Sequence, residues 1–128
     1  LPIFDRRDKN SRAKVVTEAL RMMSQAANIL LFPEGTRTRD GKIATRIYLK
    51  LVEAAWQKGI PVVPACVAAT EKCLPATSVW AWPFGQPSVR IAPALRPSDF
   101  AGADVFARSA WDTVAGMAQD LGANQEWA

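Results

Sequence analysis

A chain of 128 residues and 14.0 kDa, 49% hydrophobic and 22% charged, has the size and make-up of one globular domain, which excludes general disorder and a two-domain arrangement. Its net charge of +4 sits in the first half: residues 1–50 hold 11 Lys and Arg against 5 Asp and Glu, and residues 51–128 hold 5 against 7. That asymmetry suits an anionic partner (phosphate, nucleic acid or an acidic membrane surface) or a solvated basic helix face, but a membrane-spanning helix is excluded, because Pro75, Pro83 and Pro87 break the longest uncharged run, Cys73 to Val89.

In chain order, Leu1–Phe4 reads as the end of a short strand. Asn10 or Ser11 can cap a helix whose apolar stripe is Val15, Val16, Ala19, Leu20 and Met23. Ile29–Phe32 is an apolar run of the kind found in fully buried strands, and Pro33-Glu34-Gly35 stops it with turn chemistry. After a second turn at Asp40-Gly41, a helix is expected from about Ile43, with Ile47, Leu51, Ala54 and Ala55 on one side and Gly59 as its stop. Ile60–Val67 is strand-like, and Pro64 in it demands an edge or a bulge. Val89, Ile91, Pro93 and Leu95 alternate as in another strand, and a last helix is expected from about Ala103 to Leu121, ended by Gly122. Its buried side should carry Phe106, Ala110, Val114, Met117 and Leu121. The order β-α-β-α-β-β-α predicts an α/β fold with a largely parallel central sheet flanked by helices, one domain over residues 1–122 and a tail at 123–128.

Two absences limit the chemistry. The chain contains no His, so it cannot by itself complete a mechanism that needs an imidazole. Cys66 and Cys73 lie seven residues apart without a CxxC spacing, which is no zinc pattern; free thiols and no metal are expected. The chain also starts at Leu1 without an initiator Met or leader, and the expectation is a piece of a longer protein.

The informative segment is Phe32-Pro33-Glu34-Gly35-Thr36-Arg37-Thr38-Arg39-Asp40-Gly41-Lys42. It lies between an expected strand and an expected helix, where α/β proteins place ligands. Gly35 lets backbone approach a ligand, Thr36 and Thr38 offer hydroxyls, and Arg37, Arg39 and Lys42 offer cations, Arg being able to hold a phosphate by two parallel hydrogen bonds. Glu34 either contacts a ligand or fixes the loop through a salt bridge; both readings stand. Arg7, among Arg6, Lys9 and Arg12, reads from charge alone as a surface residue. Trp80, Trp82 and Phe84 alternate, so on a strand they would share one face, either packed in the core or facing a membrane interface.

The string Phe32 to Thr38 resembles the third sequence block of the glycerolipid acyltransferases, the lysophosphatidate and glycerol-3-phosphate acyltransferase type. Ile3-Phe4-Asp5-Arg6-Arg7 resembles the second block, with Asp5 where the family has an aliphatic residue, and Ile60-Pro61-Val62-Val63-Pro64 resembles the fourth. The resemblance covers residues 3 to about 65 and implies that family's α/β fold, incomplete at its N-terminus, with residues 1–122 the C-terminal part of one acyltransferase domain. It implies that Arg7 and Arg37 grip the acceptor's phosphate while Glu34, Gly35 and Thr36 shape the pocket. The family's His-x-x-x-x-Asp motif, whose His is held to deprotonate the acceptor hydroxyl, stands upstream of the second block and is absent here, so no catalytic residue is expected in this chain and the fragment alone should be inactive. Asp5 and Asp8 cannot replace it, since a carboxylate with a pKa near ~4 is a poor base toward an alcohol.

The implied reaction moves a fatty acyl group from acyl-CoA or acyl carrier protein to the hydroxyl of lysophosphatidate or a related glycerol phosphate in phospholipid synthesis. No cofactor is implied, because the acyl thioester is a substrate. The expected location is the cytoplasmic face of a membrane, peripheral or anchored by the absent N-terminal region. The alternatives are a non-catalytic phosphate-binding relative, or a basic nucleic-acid module. The last is disfavoured because Phe4, Phe32 and Tyr48 are scattered rather than interleaved with the basic residues, and no nucleic-acid partner is expected.

Overall fold

The computed structural model describes residues 9–35, 42–44, 46–74 and 78–125. The expected strand at Leu1–Phe4 therefore lies outside the described residues. So do Arg7, Thr36, Arg37 and Arg39.

Helix α1 runs Lys9–Ser24, starting ahead of the expected Asn10 or Ser11 cap, and buries Ala19. Its end is held by a double backbone closure: the Ala27 N–H donates to the Met22 carbonyl and the Ala26 N–H to that of Met23, both at 3.1 Å. The closure needs a left-handed residue, and Ala26 supplies it at φ 63°, a conformation that Gly adopts without steric cost. Helix α2, Lys50–Gln57, ends the same way: the Ile60 N–H reaches the Ala55 carbonyl, the Gly59 N–H that of Trp56, and Gly59 takes φ 68°. Here the expected stop is the observed one.

The start of α2 is not. A helix from Ile43 was the expectation, yet residues 42–44 and 46–49 are irregular. The Tyr48 N–H donates to the Pro33 carbonyl at 2.9 Å and the Ala44 N–H to the Glu34 carboxylate at 2.8 Å. Backbone groups engaged across to residues 33–34 cannot also close helical turns.

Strand β1, Ala65–Ala68, pairs with β2, Ser88–Ile91, in antiparallel register, Ala65 opposite Ile91 and Val67 opposite Val89. Beyond Pro64 the two chains meet again at the antiparallel Val62–Leu95 bridge. Between these pairings two residues of the first chain, Val63 and Pro64, face three of the second, Ala92 to Ala94. Pro64 was expected to demand an edge or a bulge; the structure has a bulge here, its extra residue on the facing chain, and it has a consequence for side chains. The alternation Val89, Ile91, Pro93, Leu95 does not stay on one face: Val89 and Ile91 are exposed, while Leu95 packs on the core. An extra residue reverses the faces beyond it.

The largely parallel sheet is not what the described residues contain; their one ladder is antiparallel. The reason lies in the connection. A parallel crossover normally needs a helix that packs back on the sheet, and the described residues of 69–87 supply only the one-turn helix α3, Thr70–Cys73; three prolines follow it in the chain. Ile29–Phe32 is likewise neither paired nor buried, with Leu30 81% and Phe32 66% exposed. An apolar run becomes a buried strand only where neighbours supply hydrogen bonds and cover.

The core forms where α2 crosses the last helix, α4, Ala103–Gln125. Val52 meets Phe106, Ala107 and Ala110, with Leu49, Trp56, Val62, Leu95 and Phe100 packed around them. Phe100 and Phe106 stack edge to face at 5.2 Å, and the Trp56 indole N–H donates to the Pro97 carbonyl, tying α2 to the 3-10 turn Pro97–Asp99. Phe106, Ala110 and Met117 are buried as expected, whereas Val114 and Leu121 are half-buried. Gly122 does not stop α4, which continues to Gln125. No helix among the described residues is long and apolar enough to cross a membrane.

Candidate functional site

The turn Phe32–Gly35 closes with the Gly35 N–H donating to the Phe32 carbonyl at 3.0 Å. Gly35 has φ 66°, and a Cβ built there would meet only the Tyr48 ring, at 3.7 Å. Space is therefore not what requires glycine; the left-handed backbone is. The left-handed turn is by itself a structural reason for glycine at this position.

Glu34 resolves into a role that sequence reasoning had only half described. Its carboxylate accepts the Ala44 N–H at 2.8 Å, a backbone partner ten residues on. Together with the Pro33–Tyr48 bond, this closes the base of a loop that carries Thr36, Arg37, Thr38, Arg39 and Lys42. A carboxylate that accepts from a backbone N–H makes a charge-assisted bond, stronger than its neutral counterpart.

Beside this base stands a group that the sequence did not single out. The Tyr48 ring lies against Gly35, and the Arg46 guanidinium sits over the same ring, 5.5 Å from its centroid. Arg46 thereby adds a described cation next to the loop. Ala44 and Tyr48 act through backbone N–H groups, which no side-chain pattern announces. The only signal for Arg46 was the general basic excess of the first half.

On the sheet side, burial pushes the Cys66 thiol up from its ordinary pKa, the nearby Glu34 carboxylate adds to the rise, and Arg90 opposes it. Cys66 is buried, and it and Cys73 are free thiols. A protonated, buried thiol is a packing residue and no nucleophile. Arg90 itself pairs with Asp120 at 2.9 Å, an exposed contact. A shallow concave surface lies along α4 between Asp104, Arg108, Asp112 and Thr113. Two aspartates against one arginine do not suit an anion, and no described residue of the 32–42 segment borders it. Among the described residues no three His, Cys, Asp or Glu gather as metal ligands would. The structure thus brings Glu34 and Gly35 together with Arg46 and Tyr48.

Comparison with known proteins agrees with this part of the chain. The acyltransferase family model matches residues 2–68, which contain all three sequence blocks. The chloroplast 1-acyl-sn-glycerol-3-phosphate acyltransferase BAT2 of Brassica napus is 32% identical over 73 residues, 57% of this chain and 21% of that protein. The corresponding LPAT1 of Arabidopsis thaliana is 28% identical over 110 residues, 86% of this chain and 30% of that one. The chain thus spans less than a third of the length of these relatives. In three dimensions it is similar to the crystal structure of the 1-acyl-sn-glycerophosphate acyltransferase PlsC of Thermotoga maritima, with a TM-score of 0.75 over 84% of this chain and 44% of that chain, at 24% identity. That likeness makes the α/β arrangement around the bulged ladder an acyltransferase fold. With the matched residues reaching from the second block through the closed 32–42 loop to β1, the chain belongs to the acyltransferase family.

Proposed function

We propose that this chain is the acceptor-holding part of an enzyme that transfers a fatty acyl group from a thioester, acyl-CoA or acyl carrier protein, to the hydroxyl of lysophosphatidate or a related glycerol phosphate. The observation that carries the reading is the loop after Phe32: family-matched, rich in cations, and closed at its base by Glu34–Ala44 and Pro33–Tyr48. In this reading Arg7 and Arg37 bind the acceptor's phosphate, Thr36 lines the pocket with Gly35, and Glu34 holds the loop. Holding the phosphate fixes the acceptor's hydroxyl in place, which is the entropic part of catalysis. The proton of that hydroxyl must go to a base that these residues do not provide, since the chain has no His, and we assign it to residues outside these 128. The acyl donor is a substrate, and the reading requires no metal or bound cofactor. Its setting is the cytoplasmic face of a membrane, where a lipid acceptor resides. Within the larger domain, the exposed run Ile29–Phe32 would become a strand of a more extensive, parallel sheet.

Two measurements on the purified chain test this. Titration with sn-glycerol 3-phosphate, followed by amide NMR shifts, should move Gly35, Ala44 and Tyr48, whereas glycerol should not. Mixed with acyl-CoA and lysophosphatidate, the chain should give no turnover, because a missing general base removes about 10² to 10⁴-fold of rate. Equal responses to glycerol and to its phosphate would sink the acceptor assignment, and measurable acyl transfer would sink the division of labour.

A further inference from the structure

The connection from α3 to β2 is built differently from the rest of the surface. Val79 is 90% exposed, Trp80 79%, Trp82 61% and Phe84 86%, four large apolar side chains within six residues. They are not on a strand, and they are not core. The backbone beneath them is nevertheless fixed. The Trp82 N–H donates to the Cys73 carbonyl at 2.7 Å, the Gly85 N–H turns back to the Trp82 carbonyl, and the Ser78 hydroxyl donates to the Trp80 carbonyl. Gly85 lies directly on Cys73, so close that a Cβ there would meet the Cys73 backbone at 3.0 Å. Exposure of rings on a loop tied in this way is a property of the conformation, not of a frayed end.

We infer that the 78–84 loop docks on a phospholipid bilayer, with Trp80, Trp82 and Phe84 entering the boundary between headgroups and acyl chains. The inference deepens the acyltransferase reading and rests on it, since it supplies the surface on which a lipid acceptor is met. Three observations favour a lipid surface over other cover. The first is side-chain chemistry: indoles combine a large apolar body with one N–H donor, the combination that prefers a membrane interface to a dry interior. The second is charge. No residue from Cys73 to Val89 is charged, so no charge in the loop repels headgroups or must be desolvated, and the chain's net charge of +4, carried by residues 1–50, has the sign that an anionic leaflet attracts. Exposed Lys72 stands at the foot of the loop, with Glu71 beside it, so the attraction belongs to the chain as a whole. The third is contrast with the other exposed apolar surface, the outer face of the β1–β2 ladder. There Val67, Val89 and Ile91 form a flat, β-branched surface of the kind that a helix of the same domain covers. Projecting rings on a proline-containing turn offer no such flat seat.

The experiment uses the full chain and vesicles of phosphatidylcholine with a minority of phosphatidylglycerol, free of lysophosphatidate. The chain should cosediment with the vesicles, and its tryptophan emission should shift to the blue and be quenched by brominated acyl chains. The double variant Trp80→Ser, Trp82→Ser should lose about tenfold in partitioning and most of the quenching, while a sheet-face variant, Val67→Ser with Val89→Ser, should partition as the parent does. Circular dichroism establishes that each variant is folded, and the brominated-lipid signal of the parent needs no variant at all. The inference is overturned if the parent does not bind vesicles, if the double variant binds as well as the parent, if the sheet-face variant loses as much, or if the loop proves to drive self-association without lipid. Titration of the same proteins with sn-glycerol 3-phosphate separates the two readings: vesicle binding lost with anion binding intact condemns only the docking surface, and the reverse result condemns only the acceptor site.

Discussion

Two loops of this protein are built alike and dressed in opposite ways. Residues 33–48 are closed by the Pro33–Tyr48 backbone bond and the Glu34–Ala44 contact; residues 73–85 are closed by the Cys73–Trp82 bond and the seat of Gly85 on Cys73. Between its closures the first carries Arg37, Arg39, Lys42 and Arg46, and the second carries no charge and, among its described residues, five exposed large apolar side chains, Leu74, Val79, Trp80, Trp82 and Phe84. Closing a loop at its base fixes a backbone at modest entropic cost, whatever the side chains are. On the two proposals made above, the side chains then choose the partner: phosphate for one, lipid for the other. The comparison teaches that closure and chemistry are separable, and each can be broken alone.

The largest effect is expected from breaking the chemistry of the basic loop. In the complete acyltransferase, Arg37→Lys keeps the charge but loses the two-point fork, so it should be almost as damaging as Arg37→Ala. A charge-assisted hydrogen bond contributes about 1.5 to 3 kcal/mol, which corresponds to a fall in kcat/KM of roughly 10 to 150-fold, mostly through the acceptor's KM. Arg39→Ala should cost little, and steady-state kinetics of the three variants would show it. If Arg37→Ala and Arg39→Ala fall equally, or neither falls, the loop is a diffuse basic surface rather than a clamp.

Breaking only the closure of the same loop should have a smaller effect. Glu34→Gln retains a side-chain oxygen that can accept from Ala44 N–H, whereas Glu34→Ala retains none. Affinity for sn-glycerol 3-phosphate should therefore drop about tenfold in the Ala variant and by much less in the Gln variant, in line with loss of one bond to a charged group. Amide exchange at Ala44, measured by NMR, should speed up in the Ala variant alone. Equal loss in both variants would mean that the carboxylate touches the ligand itself.

The smallest effect on ligand binding comes from the closure of the aromatic loop, whose loss is read in stability instead. Gly85→Ala would force a methyl group against the Cys73 backbone, which cannot rotate away, and should destabilise the chain by about 1 to 3 kcal/mol without altering glycerol phosphate binding. Chemical denaturation read by tryptophan emission measures the first, and calorimetric titration the second. A variant as stable as the parent would show that the turn is not fixed by Cys73.

Much of this organisation was legible beforehand, and the exceptions are instructive. Gly59 could be read as a helix stop because a left-handed C-terminal closure favours glycine; the same closure at Ala26 was invisible, because alanine is an ordinary helix residue that only the surrounding chain forces into φ 63°. Phe106 and Ala110 could be read as core from the helical period, and they are. Ile29–Phe32 could be read as apolar but not as uncovered, since composition does not say who the neighbours are. Of the site, the residue types of the 32–42 segment and their resemblance to acyltransferases were legible; the part played by Ala44 and Tyr48 was not, because backbone donors leave no mark in a sequence.

The amino-acid sequence by itself determined the family, the basic loop, the absence of an imidazole base and the helices that form the core, because these depend on residue type and local period. Only the tertiary structure decided that the ladder is antiparallel, that a bulge at residues 92–94 turns Leu95 inward while Val89 and Ile91 face out, that Glu34 spans the loop to Ala44, and that Trp80, Trp82 and Phe84 stand in solvent. The physical reason is common to all four. Each depends on what other segments of the chain supply or leave open, and a pattern read along the chain carries the affinity of a residue for burial or for charge but not the identity of what it meets.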